Sequence, residues 1–440
     1  EVPVVILGAG LTGMSVALSL REANVDFRLF ERLPWPGGHA VTIEDGGYRF
    51  DRTGHLLHVR TPSIREQVLG WIGDDHLVVQ RNSRIWSHGV YTRYPFQANT
   101  FGLPPQVAYE CVFGFLQAHF AETKPEPKNF EDFCDVHFGQ GISRHFMIPY
   151  NSRLWGVPPS EITSAWCQRF VPLPALEDVI AGAVGLNDRE LGYNTNFLYP
   201  RLGIGELTRS ISRELGLIEL SRAPRSIDFV RRRVHFDDEV VGYQVLVNTI
   251  PLPVLVGLLD GPPEPVREAA AKLRCTHLYY LDVALTGRCR QDLHWVYVPE
   301  PKYPFYRVGC YSNFSSAMAP AGKANLYVEL ASRSEPDLDQ LLPGVIDGLS
   351  EMGLIGGPSE VAFVRLRKIE FAYVIFDAHH EPAMQVIRPF LEEIGMVSAG
   401  RYGEWTYSSM EDALLAGKQA ATRAQQMLLH SSSRDSRTKT

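Results

Sequence analysis

The chain is poor in cysteine, with six in 440 residues. Cys111, Cys134, Cys167, Cys275, Cys289 and Cys310 are scattered, and none forms a CxxC pair. That spacing argues against a zinc site or a disulfide framework, and reduced thiols in a cytoplasm are the expectation. The histidines show no HExxH spacing. The one pair, His379-His380, reads as part of a strand with its rings on opposite faces, so no metal is expected. No apolar run approaches the ~18–20 residues of a membrane span. The nearest stretches, Val179–Leu186 and Pro253–Leu259, are short and interrupted by glycine, so no membrane partner is expected. Positive charge is not in excess. A net charge of −7 argues against general nucleic-acid binding. The opening EVPVVILGAG reads as a strand and not as a basic signal peptide. Apolar residues at 45% and charged residues at 21% exclude a mostly disordered chain. The length suggests two to three domains, at roughly 150 residues each.

Val2–Leu7 is a continuous apolar run, as a buried parallel strand requires. Gly8-Ala9-Gly10-Leu11-Thr12-Gly13 follows at once. Met14–Ala23 has helical spacing, Phe27–Phe30 reads as a second strand, and Glu31 ends it. The region 104–186 is mainly helical by pattern. Arg231–Val247 reads as a hairpin leading into a strand. Tyr279–Ala331 alternates apolar and polar residues, as antiparallel strands do. Pro389–Ile394 and Asp412–Leu429 read as helices, and 431–440 as a disordered tail.

The glycine turn carries the first chemistry. Gly8, Gly10 and Gly13 let the chain turn tightly and approach a pyrophosphate, which would sit at the helix N-terminus beside Leu11 and Thr12. Glu31 is placed to accept hydrogen bonds from a ribose, with Arg32 next to it. Gly37-Gly38-His39 and the Asp51–His55 segment, with Gly54, would bring backbone close to a second part of a long cofactor. Gly400-Arg401 and a second helix N-terminus near Ser409 and Met410 could face a flavin's pyrimidine end, where negative charge gathers on reduction. Together these elements resemble the FAD-binding domain of the amine-oxidase and protoporphyrinogen-oxidase-like flavoproteins.

The middle of the chain is more specific. Tyr94-Pro95-Phe96-Gln97-Ala98-Asn99, Phe146–Pro158, Trp295-Val296-Tyr297, Pro304-Phe305-Tyr306-Arg307, Ser312-Asn313-Phe314-Ser315 and Arg401–Tyr407 come in the order of segments that resemble the UDP-galactopyranose mutases of eukaryotic type. In that family reduced FAD acts through flavin N5 as a nucleophile on the anomeric carbon of a nucleotide-sugar. A pyranose becomes a furanose without net redox change.

The resemblance assigns roles. His55 lies beside the flavin, and Arg307 is a diphosphate ligand whose planar fork suits that anion. Tyr297, Tyr373 and Tyr407 align with phosphate-contacting tyrosines. Tyr94, Phe96 and Gln97 align with the uridine site. Asn151, Trp155, Asn194, Trp295 and Asn313 line the same pocket, and Arg81 and Arg401 stand near substrate and flavin. The sequence also departs from the family. Phe170 falls where a second diphosphate arginine is expected, with Arg169 one position early. Phe314 replaces a phosphate-binding tyrosine, and His58 replaces an aromatic residue. A charge-assisted hydrogen bond is worth ~1.5–3 kcal/mol, so losing two contacts would weaken diphosphate binding on the order of a hundredfold or more.

The expected fold is α/β: a Rossmann-like FAD-binding domain from 1–80, 200–255 and 385–430, a helical substrate region at 104–186, and an antiparallel sheet domain from 81–103 and 275–375. The expected function is a FAD-dependent nucleotide-sugar mutase working with reduced flavin, with NAD(P)H as candidate reductant. The alternative is a FAD-dependent oxidase or desaturase of the amine-oxidase class. Redox state separates the two. The sugar, the base and the oligomeric state stay open.

Overall fold

The computed structural model describes residues 1–164, 171–186, 195–332 and 334–437. Val2–Leu7 forms the central buried strand. It pairs in parallel with Phe27–Phe30 on one side and Val240–Asn248 on the other. Met396–Ser398 continues the parallel set beyond Val240–Asn248. Arg233–His235 and Ser226–Asp228 add antiparallel strands at the start of Val240–Asn248. This first sheet therefore draws strands from three distant stretches of chain.

Helix Leu11–Glu22 leaves the first strand through Gly10, which caps it without a side-chain hydrogen bond. Its first-turn N–H groups therefore lack side-chain acceptors and point outward from the turn. The last helix, Met410–Arg437, packs along it. Ser15 Oγ donates to Leu414 O at 2.7 Å, and a Cβ on Gly417 would lie 2.6 Å from Thr12 O. That helix carries into 431–440, where the sequence pattern suggests disorder. The His379-His380 pair is also not on a strand. His380 opens helix His380–Glu393, which begins earlier than the Pro389 expected, and its buried ring bonds the Trp405 carbonyl at 2.8 Å.

The second sheet runs in the order Val361–Ile369, Leu278–Leu285, Ala324–Leu330, Phe305–Cys310, Trp295–Tyr297, Ser83–Ser87, Val90–Arg93. Its neighbours are antiparallel except Trp295–Tyr297 beside Ser83–Ser87, which are parallel. Leu278–Leu285 and Ala324–Leu330 are buried along their whole length. Two covers explain this. Helix Leu338–Glu351, not anticipated from sequence, packs Val345 and Leu349 against Leu281, Val283, Leu326 and Val328. The opposite face closes a cavity. Helices Pro105–His119, Phe130–Ile142 and Ile148–Trp155 form a separate core around Phe96, Phe115, Phe138 and Trp155.

Candidate functional site

A single cavity of about 1150 Å³ runs from the first glycine turn to the second sheet. At one end lie Gly8, Gly10, Leu11, Thr12, Glu31 and Arg32. The glycines differ in what they do. A Cβ on Gly10 would meet only Gly38 Cα, at 3.9 Å, so Gly10 keeps its bare backbone toward open space. A Cβ on Gly13 would lie 1.9 Å from Gly8 O, so Gly13 serves helix-to-strand packing and does not line the cavity. Gly37 N donates to Ala9 O at 2.8 Å, which ties the second glycine turn to the first. Glu31 is buried, and its two oxygens accept from Ala9 N at 2.9 Å and Leu33 N at 3.0 Å. A carboxylate has about four acceptor sites, so capacity for a ribose hydroxyl remains.

The middle of the cavity is formed by the segment after Tyr48–Asp51. The buried Asp51 carboxylate accepts from Thr42 Oγ1 and Tyr199 Oη, both at 2.6 Å, and from Ile204 N at 3.1 Å. Burial raises its pKa to about 6. This anchor fixes the start of Arg52–His58. Thr53, next in line, has φ +69°, a strained value for a β-branched residue. His39 and His55 face this region with Arg52 and Arg401. Burial, helped by both arginines, lowers His39 to about 3 and His55 to about 4. Both rings are therefore neutral at pH 7. His39 Nε2 lies 3.2 Å from the Phe371 carbonyl, which can accept only from an N–H, so Nδ1 is left as the acceptor.

Four buried polar atoms here meet no hydrogen-bond partner among the described residues: His39 Nδ1, His55 Nδ1, Arg401 Nε and Ser408 Oγ. Buried polar groups are ordinarily paired. Orphans gathered on one cavity, next to a bare glycine passage, fit a polar ring system such as a flavin.

At the far end Arg81, Tyr94, Trp295, Tyr297, Arg307, Tyr373 and Tyr407 converge. Tyr94 stacks on Tyr297 with ring centroids 5.1 Å apart, and the Arg81 guanidinium lies 4.9 Å from the Tyr94 centroid. Arg401 lies 5.3 Å from the Tyr373 centroid and 4.8 Å from that of Tyr407. Arg307 is held by Glu329 and by Tyr373 Oη, the latter at 3.1 Å. Ser409 and Met410 also reach the cavity. Gly400, at φ +76°, is buried against Thr12.

Several expected ligand residues sit elsewhere. Phe96 is fully buried and stacks on Phe146 at 5.0 Å, so its face is not offered to a base. Gln97 Nε2 donates to Pro172 O at 2.9 Å, and Asn313 Nδ2 to Gln291 O and Leu293 O at 2.9 and 2.7 Å. Buried amides spend their donors on nearby carbonyls. Asn151 likewise bonds Met147 O at 2.8 Å. Trp155 packs edge-on against Tyr373 at 5.7 Å, behind the cavity wall. Phe314 is buried among Phe197, Tyr199, His294 and Trp295, off the cavity wall. The expectation that it costs a phosphate contact is therefore corrected. Asn194, Arg169 and Phe170 lie outside the described residues. The sequence reading missed Arg52, Tyr327, Glu329 and Glu411. Arg52 stands inside the Asp51–His55 segment, and Glu411 one residue past Met410. Glu411 Oε1 accepts from Arg60 N and Thr61 N at 3.0 and 2.6 Å, tying the last helix to the loop after His55.

Residues 6–68 match the family model described as an NAD(P)-binding Rossmann-like domain. The chain is 23% identical to the dTDP-fucopyranose mutase of Escherichia coli over 178 residues, 38% of this chain and 45% of that protein. It is 30% identical to the phytoene dehydrogenase of Streptomyces griseus over 118 residues, 26% of this chain and 23% of that one. The chain thus spans less than half the length of these curated relatives. Among solved structures, reduced UDP-galactopyranose mutase superposes with a TM-score of 0.89 at 27% identity, over 96% of this chain and 93% of the other. Cyclohexylamine oxidase from Brevibacterium oxydans superposes at 0.69 and 13% identity, over 97% and 99%, a likeness of fold alone. Cyclohexylamine oxidase thus shares the fold, while to UDP-galactopyranose mutase the chain is similar in fold and in sequence over nearly its whole length. Its similarity to dTDP-fucopyranose mutase points the same way over a shorter stretch.

Proposed function

We propose that the protein is a FAD-dependent mutase that interconverts the pyranose and furanose forms of a nucleotide-sugar. The observation that carries this reading is the continuity of the cavity, from Gly10 and Glu31 past two neutral histidines to the Arg307, Tyr373 and Tyr407 end. The Gly10–Thr12 turn would hold the pyrophosphate, Glu31 the ribose, and His39, His55 and Arg401 the ring. When bound, FAD in its reduced form would supply a nucleophilic nitrogen toward the anomeric carbon. The residues 1–80, 200–255 and 385–430 would carry the cofactor, and 81–103, 104–186 and 275–375 the substrate.

The chain's own groups do the rest. Arg307 uses Nε and Nη2 on its protein partners and keeps Nη1 for a phosphate oxygen. Arg81 and Arg401 add positive charge along the same wall. The tyrosine hydroxyls of Tyr297, Tyr373 and Tyr407 can donate to the diphosphate. His39 and His55 are neutral at pH 7, each with a single N–H and no acidic imidazolium proton, so a leaving diphosphate would be retained by charge and not by general-acid protonation there. We further propose NAD(P)H as reductant and a cytoplasmic location. No described helix is long and apolar enough to cross a membrane.

The test is direct. Purified protein should be yellow and release FAD on denaturation. After anaerobic reduction it should exchange UDP-galactopyranose or dTDP-fucopyranose with the furanose form and leave the flavin reduced. Turnover only from the oxidised state, with consumption of oxygen or another acceptor, would replace this reading with an oxidase.

A further inference from the structure

We propose that the Tyr327 hydroxyl is a further ligand-contacting group of this cavity, donating a hydrogen bond to an oxygen acceptor where flavin edge and sugar meet. The proposal rests on the cavity reading above and adds a residue to it.

Tyr327 lies in the strand Ala324–Leu330 and lines the cavity. Successive residues on a strand face opposite ways, so Asn325, Tyr327 and Glu329 share one face. Asn325 Nδ2 donates to Arg49 O while its Oδ1, an acceptor, meets no partner among the described residues, and Glu329 holds Arg307. The hydroxyls of the tyrosines packed around Tyr327 are satisfied. Tyr48 donates to Leu285 O at 2.7 Å, Tyr199 to Asp51 Oδ2 at 2.6 Å, and Tyr311 to Asp51 O at 2.6 Å. Tyr327 shares that aromatic cluster, but its hydroxyl makes no hydrogen bond to the described residues and opens onto the cavity, where a ligand can reach it. The polar end of a largely buried tyrosine usually finds a partner.

Two glycines hold the space this side chain occupies. A Cβ on Gly309 would lie 2.0 Å from Tyr327 Cε1, so the ring lies flat across that strand. A Cβ on Gly54 would lie 2.6 Å from Tyr327 Oη, which puts the hydroxyl against the residue that precedes His55. Burial holds the phenol far above its usual pKa. It therefore stays a donor, and its complement is an oxygen acceptor. A flavin carbonyl and a sugar oxygen share that chemistry, and the experiment separates them.

Tyr327→Phe keeps the ring and removes one oxygen. Gly309→Ala drives the ring from its place and is the second, independent variant. FAD content, flavin spectrum and reduction potential, UDP affinity, and kcat and KM for the sugar nucleotide are measured on the FAD-loaded protein. If the acceptor is the flavin, Tyr327→Phe shifts the potential or the spectrum. If it is the sugar, KM for the sugar nucleotide rises about two- to tenfold, the loss of one neutral hydrogen bond, while UDP affinity holds. Gly309→Ala should lose at least as much. A folded Tyr327→Phe that holds FAD and matches wild type in potential, spectrum and KM overturns the proposal. A wild-type protein that takes up neither FAD nor nucleotide removes the cavity reading instead, and the proposal with it.

Discussion

Arg307 meets Glu329 in a two-point ion pair, Nε to Oε2 at 3.0 Å and Nη2 to Oε1 at 2.6 Å. They stand opposite one another on neighbouring strands, and Glu329 is 0% exposed. The arginine expected to face a diphosphate is thus already neutralised, and it is oriented by its partner. Removing one member of a buried pair strands the other charge, at about 3–5 kcal/mol, whereas replacing both with apolar residues is often neutral. Glu329→Gln should therefore lose stability in urea unfolding. The double replacement Arg307→Met with Glu329→Leu should regain most of it but bind no UDP. Equal stability for wild type and Glu329→Gln would show that the pair does nothing for the fold.

The two glycines of the first turn should separate cofactor binding from folding. Gly10 has φ −75°, which any residue adopts, and a Cβ there touches nothing closer than 3.9 Å. Gly10→Ala should fold with stability close to wild type, yet lose tenfold or more in FAD affinity, on the order of 1.4 kcal/mol. Gly13→Ala should fail earlier, in folding, because its Cβ meets a backbone carbonyl at 1.9 Å. Flavin titration beside thermal melting reads both. FAD bound equally well by Gly10→Ala would move the cofactor off this turn.

His55 predicts a pH effect with a defined sign. Its pKa is about 4 when folded, against 6.5 as the ordinary value. The unfolded chain takes up the proton first. The contribution of a neutral His55 is full above pH 6.5 and is lost as pH falls toward 4. Wild type should lose about 1–2 kcal/mol more than His55→Gln between pH 7 and 5. Asp51 and Asp282, raised to about 6 and 7, act in the opposite direction over this range. They are present in both proteins, so the difference isolates His55. Parallel stability curves would mean that the ring is solvated.

Phe314 shows how a motif can mislead. By alignment it stands where a tyrosine would touch phosphate, but its ring is 3% exposed and lies 5.3 Å from Tyr199 and 5.8 Å from Phe197. Phe314→Tyr should leave UDP affinity unchanged and cost about 1–3 kcal/mol by burying an unsatisfied hydroxyl. Tighter UDP binding in this variant would restore the alignment-based expectation.

What was legible in the sequence follows from how local each signal is. The first strand, glycine turn, helix and second strand depend on neighbours in sequence, and their bounds came out nearly as read. Tyr94, Tyr297 and Arg401, each in one of the ordered motifs, reach one cavity, and Tyr373, outside those motifs, joins them there. Glu329 and Tyr327 were not legible. Their strand alternates Asn-Leu-Tyr-Val-Glu-Leu, and such alternation ordinarily sends the polar face to water. Here helix Leu338–Glu351 covers the apolar face and the cavity takes the polar one. Phe96, Gln97 and Asn313 failed for the converse reason. Alignment gives a position, but packing decides which way a side chain turns.

Arg401 is the last group whose role can be tested from charge alone. Tyr373, Tyr402 and Tyr407 surround its guanidinium, with centroids at 5.3, 5.8 and 4.8 Å. Nη2 donates to Ala372 O at 2.9 Å, and Nε is buried with no partner among the described residues. Among the described residues no carboxylate pairs with it, unlike Arg307. Its positive charge therefore stays uncompensated beside His39 and His55, whose protonation it opposes. A charge in that place should favour an anion in the cavity. Arg401→Gln keeps a hydrogen-bonding head but removes the charge. The flavin reduction potential should fall, because the reduced anionic form loses its counter-charge. A loss of 1.4 kcal/mol corresponds to about 30 mV for a two-electron couple, so a shift of tens of millivolts is expected. The pKa of His55 should rise at the same time, read from its imidazole resonances. Salt sensitivity would stay low, since buried charges are weakly screened. An unchanged potential together with an unchanged His55 titration would mean that Arg401 acts only in packing, through its tyrosines.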